Sequence, residues 1–197
     1  MGNCHYYLSD DRKECYADAL ITQILTLSQI DPIADAVDLG CGTGIYVSRL
    51  QRAGIPTIGI DNNQTLLQDE TLRMDRTDLA MLDLSTLMFG SRTPCDLVLS
   101  IEVGEHIVPE RCEIFLRNVC YLSKKWIVMT ASDEVGPYHV NPQPYDVWVE
   151  QMCALGTHDF LVATSRTWME HFANLITKDE LKWFKRNLMI FRRKKSL

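Results

Sequence analysis

Short apolar runs and stripes of helical period alternate along this chain of 197 residues. Tyr16, Leu20, Ile24 and Leu27 recur at helical spacing ahead of Pro32, which predicts an amphipathic helix that ends before the proline. Later runs are short and apolar, as buried strands are. They lie at residues 34–39, 57–61, 95–103 and 126–130. Strands that alternate with helices favour a parallel sheet covered by helices on both faces.

A glycine-rich turn follows the first predicted strand and is the most informative stretch of the sequence. The segment is Asp38-Leu39-Gly40-Cys41-Gly42-Thr43-Gly44. Glycine lets the backbone approach a ligand closely and adopt conformations that a Cβ forbids. The carboxylate ahead of the glycines favours a cationic or amino-bearing ligand, whereas a pyrophosphate would favour bare amides at a helix N-terminus. Dinucleotide folds place their third glycine one position later, so this spacing disfavours them.

The Asp-x-Gly-x-Gly-x-Gly pattern resembles the S-adenosylmethionine loop of the class I methyltransferases, and the resemblance continues along the chain. Thr57–Asp61 resembles the second strand of that family, whose terminal acid accepts hydrogen bonds from both ribose hydroxyls. Met81–Leu84 resembles the adenine-contacting turn. Cys95–Val103, followed by Glu105-His106-Ile107, resembles the fourth strand and its loop.

The resemblance implies S-adenosylmethionine as the cofactor and S-adenosylhomocysteine as its product. The residues that it implies for cofactor binding are Asp38, Gly40, Cys41, Gly42, Gly44, Asp61, Asn62, Asp83, Leu84, Ser100 and Glu102. It also implies an α/β fold with a doubly wound, mostly parallel sheet of seven strands, helices on both faces and the last strand turned back. We predict the last two strands at 160–162 and 188–191. We expect one domain over 1–197, in which the helical region 1–31 covers the cofactor.

Composition sets limits on compartment and partners. No apolar run approaches the roughly 20 residues that a bilayer span requires, and no charged-then-apolar leader is evident. Met1-Gly2-Asn3-Cys4 is typical of a myristoylation start, but Tyr6 stands where Ser or Thr is needed. The seven cysteines form no C-x-x-C pair, which favours free thiols in a reducing compartment. We therefore expect a soluble, cytoplasmic protein without a membrane partner.

Methyl transfer to a hydroxyl requires alignment of the reacting atoms and benefits from a positioned general base. Two histidines lie where strands of this fold end, His106 after the fourth strand and His139 in the loop after the fifth. His139 is the first candidate base and Asp133 the second. His106 is a further candidate, with a structural role at the cofactor pocket as the alternative. The substrate-contacting residues that we predict are His139, Asn141 and Tyr145. In the other interpretation, this loop is a surface loop that caps the next helix.

Two other kinds of site are disfavoured. Asn141-Pro142-Gln143-Pro144-Tyr145 is similar to the Asn-Pro-Pro-Tyr signature of enzymes that methylate exocyclic amines of nucleobases, but it follows the wrong strand. The corresponding place after the fourth strand holds Ser100-Ile101-Glu102-Val103. The carboxylate cluster of magnesium-dependent catechol-type enzymes is not evident after Ser100. We therefore predict no metal and no methylation of DNA bases at an amine.

In the last third of the chain, His139-Val140-Asn141, the following predicted helix with Tyr145 and Trp148, and the closing segment 183–192 resemble small methyltransferases found among glycan-building enzymes. Those proteins are similar to sugar O-methyltransferases. The leading hypothesis is therefore an O-methyltransferase acting on a sugar or another small hydroxylated molecule. One alternative is an RNA or other nucleic-acid methyltransferase that uses the basic C-terminal region. The basic residues there are Lys182, Lys185, Arg186, Arg192, Arg193, Lys194 and Lys195. The net charge of -6 argues against a broad phosphate-binding face. A cofactor-binding protein without catalysis is the third hypothesis.

Overall fold

The computed structural model describes residues 10–90, 92–175 and 183–195. Within these residues the strands are β1 (Ala36–Leu39), β2 (Thr57–Asp61), β3 (Leu79–Met81), β4 (Cys95–Ile101), β5 (Ser123–Thr130), β6 (His158–Phe160) and β7 (Met189–Arg193). The helices are α1 (Asp10–Ile30), α2 (Ile45–Arg52), α3 (Pro109–Leu122), α4 (Tyr145–Ala154), α5 (Val162–Leu175) and α6 (Trp183–Arg186). Short 3₁₀ turns cover Gln64–Gln68, Arg76–Asp78 and Gly104–His106.

The strands of the described chain form one sheet in the order β3-β2-β1-β4-β5-β7-β6. Neighbours from β3 to β5 pair in parallel, and β7 is antiparallel to both β5 and β6. The predicted fold class, with its last strand turned back, is confirmed. The order reverses between β1 and β4, and a crevice at the carboxyl ends of the strands forms at such a switch point.

Helices pack on both faces of this sheet and bury two apolar clusters. On one face, α1 and α5 pack on β1, β4 and β5. This cluster includes Leu20, Ile24, Leu27, Leu97, Trp126, Val128, Trp168 and Phe172. On the other face, α3 and α4 contribute Phe115, Leu116, Val119, Trp148 and Met152. The apolar stripe predicted for the first helix is thus confirmed, because Leu20, Ile24 and Leu27 are buried.

The lid predicted for region 1–31 falls partly outside the described residues, as do the start Met1-Gly2-Asn3-Cys4 and Tyr6. From Ala17 to Leu27 the described part of α1 packs on the sheet. Cys41, Cys95, Cys112, Cys120 and Cys153 are free thiols, as predicted. No helix in the described ranges is long and apolar enough to cross a membrane.

The strand predicted over 160–162 has wrong bounds. The strand β6 covers His158–Phe160, and Val162 already begins α5. The amide of Leu161 donates to the carbonyl of Ile190 at 2.9 Å, and its own carbonyl accepts from the amide of Ser165. A three-residue apolar run does not distinguish a strand from a helix start. Pairing with β7 decides the bounds, since His158 lies opposite Arg193.

Candidate active site

The glycine loop connects β1 to α2 at the carboxyl edge of the sheet. Gly40, Gly42 and Gly44 have φ values of 74°, 51° and 80°, in the left-handed region that favours glycine. A Cβ at Gly40 would collide with Val103, and one at Gly44 would lie 2.7 Å from Met74. A Cβ at Gly42 would meet no protein atom within 4 Å. Packing therefore requires two of the glycines, while Gly42 is the place where the loop offers its backbone to a ligand.

Asp38 is the third of the four residues of β1 and is buried, with 1% of its surface exposed. Its Oδ2 atom is buried and has no hydrogen-bond partner in the described structure. Burial and, to a smaller extent, the negative charge of Asp61 together raise the pKa of this carboxyl to about 8. A buried carboxylate without a partner is costly, so the position suits the ammonium group of a ligand.

Asp61 ends β2 directly beside the loop. Its Oδ2 accepts a hydrogen bond from the Gly42 amide at 3.0 Å, and its Oδ1 accepts one from the Asn63 amide at 2.9 Å. A carboxylate has about four acceptor sites, so two remain for ribose hydroxyls. The Leu82 amide donates to the Asp61 carbonyl at 3.0 Å, which places the predicted adenine turn next to this acid. Asn62, the next residue, is exposed.

Three predicted cofactor-binding residues direct their side chains to the protein. Cys41 packs in a small cluster with Met74. Asp83 accepts hydrogen bonds from the amide and hydroxyl of Ser85, which shapes the turn. Leu84 is 5% exposed and packs in the core. Cys41 and Leu84 therefore keep only backbone groups for a cofactor, whereas the exposed Asp83 also keeps its second carboxylate oxygen.

The end of β4 carries buried polar groups and strained backbone. Ser100 is fully buried, and its Oγ has no partner among the described residues. Glu102 has a φ of 56°, which is uncommon outside glycine, and the Thr130 hydroxyl accepts its amide at 3.0 Å. Burial, and then the carboxyl of Glu105, raises the pKa of Glu102 well above its ordinary value.

A polar strip links this strand end to the glycine loop. Burial raises the pKa of the Tyr46 phenol, and the charges of Asp38 and Glu102 both raise it further. The phenol therefore stays protonated and lies within electrostatic reach of both acids. Tyr46 therefore lies between Asp38, in the predicted cofactor site, and Glu102, in the loop that follows β4, closely enough for both charges to act on it.

Two histidines from distant segments meet at this loop. The rings of His106 and His139 lie edge to face, with centroids 4.9 Å apart. The Nδ1 atom of His106 lies 3.0 Å from the Tyr138 carbonyl, and that of His139 lies 2.7 Å from the Glu134 carbonyl. A carbonyl oxygen only accepts, so these partners assign the proton of both rings to Nδ1. Both Nε2 atoms therefore keep a lone pair.

Glu105 lies close to the two histidines, and the sequence predicted no role for it in the site. It is fully buried, and neither of its carboxylate oxygens has a hydrogen-bond partner in the described ranges. Its carbonyl accepts the amides of Val140 and Asn141, both at 2.9 Å. These bonds fix the loop of His139 to the turn of His106. The signal in the sequence was the acid that directly precedes His106.

The other residues predicted for the acceptor side have different surroundings. Asp133 is exposed on the same loop as His139. Asn141 is buried, and its Oδ1 accepts from the Gln143 amide group at 2.8 Å. The hydroxyl of Tyr145 donates to the Leu188 carbonyl at 3.3 Å. Tyr145 thus uses its hydroxyl within the protein, whereas the Nδ2 of Asn141 is buried without a hydrogen-bond partner among the described residues and Tyr138 is 50% exposed.

Two of the basic C-terminal residues, Arg192 and Arg193, are engaged at the opposite edge of the sheet, and Lys182 lies outside the described residues. Arg192 contacts Asp31 at 3.0 Å and stacks over Trp126, and Arg193 donates to the Ser123 carbonyl at 3.1 Å. Because β7 runs antiparallel, Arg192 pairs with Trp126, near the start of β5. The candidate site lies at the other end of that strand.

Comparisons with known proteins agree with this geometry. Residues 37–125 match the methyltransferase domain family. The ubiquinone biosynthesis O-methyltransferase of Bradyrhizobium diazoefficiens is 31% identical over 102 residues, which cover 46% of this chain and 40% of that protein. The match thus spans about two fifths of the length of the curated relatives.

Solved methyltransferase structures share the fold at low identity. Magnesium protoporphyrin IX methyltransferase from Synechocystis PCC 6803, with bound SAM, gives a TM-score of 0.65 at 13% identity and covers 98% of this chain and 86% of its own. The small RNA methyltransferase HEN1 gives 0.61 at 17% identity and covers 90% of this chain and 25% of its own. Such identities show the fold alone. Residues 37–125 are thus similar to a methyltransferase domain, and the described chain has the fold of the class I S-adenosylmethionine-dependent methyltransferases.

Proposed function

We propose that this protein transfers a methyl group from S-adenosylmethionine to a hydroxyl oxygen of a small acceptor, with a sugar as the first choice. The observation that carries the proposal is the position of two histidine Nε2 lone pairs at the same sheet edge as the cofactor acids. Curated relatives named O-methyltransferases support oxygen as the accepting atom.

The residues around the glycine loop fit S-adenosylmethionine. The buried, unpartnered Oδ2 of Asp38 suits its ammonium group, and the open side of Gly42 lets the backbone approach it. Asp61 has acceptor capacity left for the ribose, beside the turn that follows β3. When bound, the cofactor supplies an electrophilic methyl group on a sulfonium. The protein's task is then to align the acceptor oxygen with that methyl group and to receive its proton.

His139 is the first choice for the proton acceptor. Its Nδ1 proton is held by the Glu134 carbonyl, which fixes the ring and stabilises the imidazolium that forms when Nε2 takes a proton. Asp133, exposed on the same loop, is the second choice. His106, held through Nδ1 by the Tyr138 carbonyl, orients the acceptor hydroxyl.

The exposed surface of the loop between β5 and α4, which carries His139, favours a sugar as the methyl acceptor. Tyr138, whose carbonyl contacts His106, has a half-exposed side chain, and an aromatic face can pack on the apolar face of a sugar ring. Tyr138 has a φ of 67°, and its carbonyl holds His106. Strained backbone of this kind clusters at functional sites, and Glu102 shows it on the other side of the same site.

A nucleic-acid acceptor is the alternative, supported by the basic C-terminal residues. The geometry weighs against it, because Arg192 and Arg193 are engaged at the far edge of the sheet. Arg186 is nearer, with its guanidinium 4.0 Å from the Glu134 carboxylate on the acceptor loop. Short RNAs therefore belong among the acceptors tested.

The first test is calorimetric titration with S-adenosylmethionine and S-adenosylhomocysteine, followed by a product assay on free sugars, nucleotide sugars and short RNAs. We expect micromolar cofactor binding and S-adenosylhomocysteine release with a sugar. Release only with RNA would replace the sugar proposal by the nucleic-acid alternative. Binding without turnover on any acceptor would favour a non-catalytic cofactor-binding protein, and no binding would refute the proposal.

The role of His139 has its own test. We expect His139→Ala to lower kcat by about 10²- to 10⁴-fold with little change in S-adenosylmethionine affinity, since a positioned base contributes that much. His171→Ala is the matched control, because His171 is an exposed histidine on α5. Full activity in His139→Ala would move the role to Asp133 or remove the need for a base.

A further inference from the structure

We propose that Glu105, His106 and His139 bind a divalent metal ion of the Mn²⁺, Co²⁺ or Zn²⁺ class at the acceptor side of the site. One ligand atom from each of these residues lies within 4.8 Å of the others. From the sequence we predicted no metal, because the carboxylate cluster of the magnesium-dependent catechol-type enzymes is not evident after Ser100. The fold adds His139, which comes from the loop after β5.

The strongest independent observation is the buried carboxylate of Glu105. The side chain is 0% exposed, and both oxygens lack a hydrogen-bond partner among the described residues. A carboxylate is costly to bury when no positive charge or hydrogen-bond donor compensates it. The Oε1 atom of Glu102 is also buried without a partner on the same side. A cation held by Glu105 would compensate both groups.

The two histidines are arranged as metal ligands are. A ligating imidazole usually donates its other ring N–H to a carbonyl or carboxylate, which fixes the tautomer and the ring. Here the Nδ1 atoms face the carbonyls of Tyr138 and Glu134 at 3.0 and 2.7 Å. The Nε2 lone pairs of His106 and His139 are thereby left for coordination.

The donor set selects the kind of cation. Two imidazole nitrogens and one carboxylate oxygen suit Mn²⁺, Co²⁺, Fe²⁺ or Zn²⁺, whereas Ca²⁺ takes oxygen ligands almost alone. Three protein ligands leave coordination positions open, as in catalytic rather than structural sites. His106 is exposed and His139 is half-buried, so the open positions face the solvent side from which an acceptor enters.

The role of the ion rests on the proposed function. An acceptor hydroxyl in an open position would be oriented and made more acidic by the cation, as metal-bound water is. His139 would then act as a ligand, and Asp133, the second candidate base, would receive the proton that the acceptor hydroxyl loses. A direct measurement of metal binding, which requires no turnover, separates this proposal from that of methyl transfer.

Mn²⁺ titration of the full chain, followed by the paramagnetic resonance signal of free Mn²⁺, tests the site. We expect one equivalent to bind to the wild type, and Glu105→Gln and His139→Asn to weaken binding at least about tenfold. Glu110→Gln and His171→Asn are matched controls, since both replace exposed residues outside the cluster. Thermal melts monitor folding. Glu105→Gln removes an unpaired buried carboxylate and should leave the metal-free Tm unchanged or higher.

Each outcome decides the proposal. Stoichiometric Mn²⁺ binding that both site variants lose and both controls keep supports it, even if no methyl transfer is found. Absence of stoichiometric binding in the wild type, or equal binding in folded site variants, overturns it, even if the protein methylates a sugar. Calorimetry with S-adenosylmethionine on the same samples reports on the proposed function separately.

Discussion

Among single residues, Asp38 is the one whose protonation state we expect to change when the ligand binds. Its carboxyl is buried, has one unpartnered oxygen and titrates at about 8 because of burial and of Asp61. At neutral pH the ligand-free protein therefore holds this carboxyl largely protonated. A ligand ammonium favours the carboxylate, so binding must remove the proton.

The first prediction is that S-adenosylmethionine binding releases a proton below pH 8. Affinity should rise by up to about tenfold per pH unit between pH 6 and 8, and then level off. Titration calorimetry at pH 7, in buffers of different ionisation enthalpy, measures the released proton. Asp38→Asn should bind more weakly and lose this proton release, while Asp146→Asn, an exposed acid on α4, should keep it. Equal proton release in wild type and Asp38→Asn would contradict the assignment.

Some residues of the candidate site belong to local sequence motifs, whereas others come together only through contacts between distant segments of the chain. Asp38 and Gly42 belong to one local motif, and Asp61 follows at a typical distance, so a single sequence was enough to predict them. Glu105 has a role only because it is buried beside His139. That proximity depends on the pairing of β4 with β5, which no local pattern encodes. The hydrogen bond from the Tyr145 hydroxyl to the Leu188 carbonyl likewise joins segments that are far apart in the sequence, so no local pattern predicts it.

Among elements, α3 holds the turn after β3 in place through one side chain. Asn118 is fully buried in α3. Its Oδ1 accepts the Met88 amide at 2.9 Å, and its Nδ2 donates to the carbonyls of Leu84 and Thr86 at 3.0 and 2.7 Å. The segment 84–88 lacks regular structure, so this amide replaces the ladder that a strand would provide.

The second prediction concerns this anchor. Asn118→Ala should lower the free energy of unfolding by about 2 to 3 kcal/mol, since it leaves two buried backbone groups and one partly buried group without a partner, at roughly 1 kcal/mol each. It should also weaken S-adenosylmethionine binding, because the turn predicted to contact adenine loses its support. Urea unfolding followed by circular dichroism, with calorimetry on the folded variant, measures both effects. Asn174→Ala, on the exposed side of α5, is the control. An unchanged unfolding free energy would contradict the anchor.

The bounds of elements were predicted best where burial and pattern coincide. The strand at Thr57–Asp61 was placed with the bounds that the structure has, because Pro56 and the terminal acid delimit it. The run at 160–162 was misplaced, since three apolar residues fit a strand and a helix start equally. Its true partner, β7, lies about thirty residues later in the chain, and hydrogen bonding to that strand sets the bounds.

At the scale of the whole molecule, the edge formed by β6 and β7 contains a buried histidine. His158 is 1% exposed, with Nδ1 2.8 Å from the Thr157 hydroxyl and Nε2 3.2 Å from the Ser123 hydroxyl. Burial and, to a smaller extent, the charges of Arg193 and Lys194 together lower its pKa to about 4. His158 thus connects β6 to Ser123 of β5, and its imidazole is neutral in the folded protein above about pH 4.

The final prediction is a loss of stability in acid that His158 causes. In the unfolded chain a histidine takes up a proton near pH 6.5, whereas in the folded protein it does so only near pH 4. The unfolded state therefore binds more protons between these values, and the free energy of unfolding falls as pH decreases through this window, by up to about 1.4 kcal/mol per pH unit. Urea unfolding at pH 7, 6 and 5 measures the slope. His158→Gln, which stays neutral, should flatten it, whereas His171→Gln on the exposed face of α5 should not. The same slope in His158→Gln and the wild type would show that other groups, and not this buried histidine, govern acid unfolding.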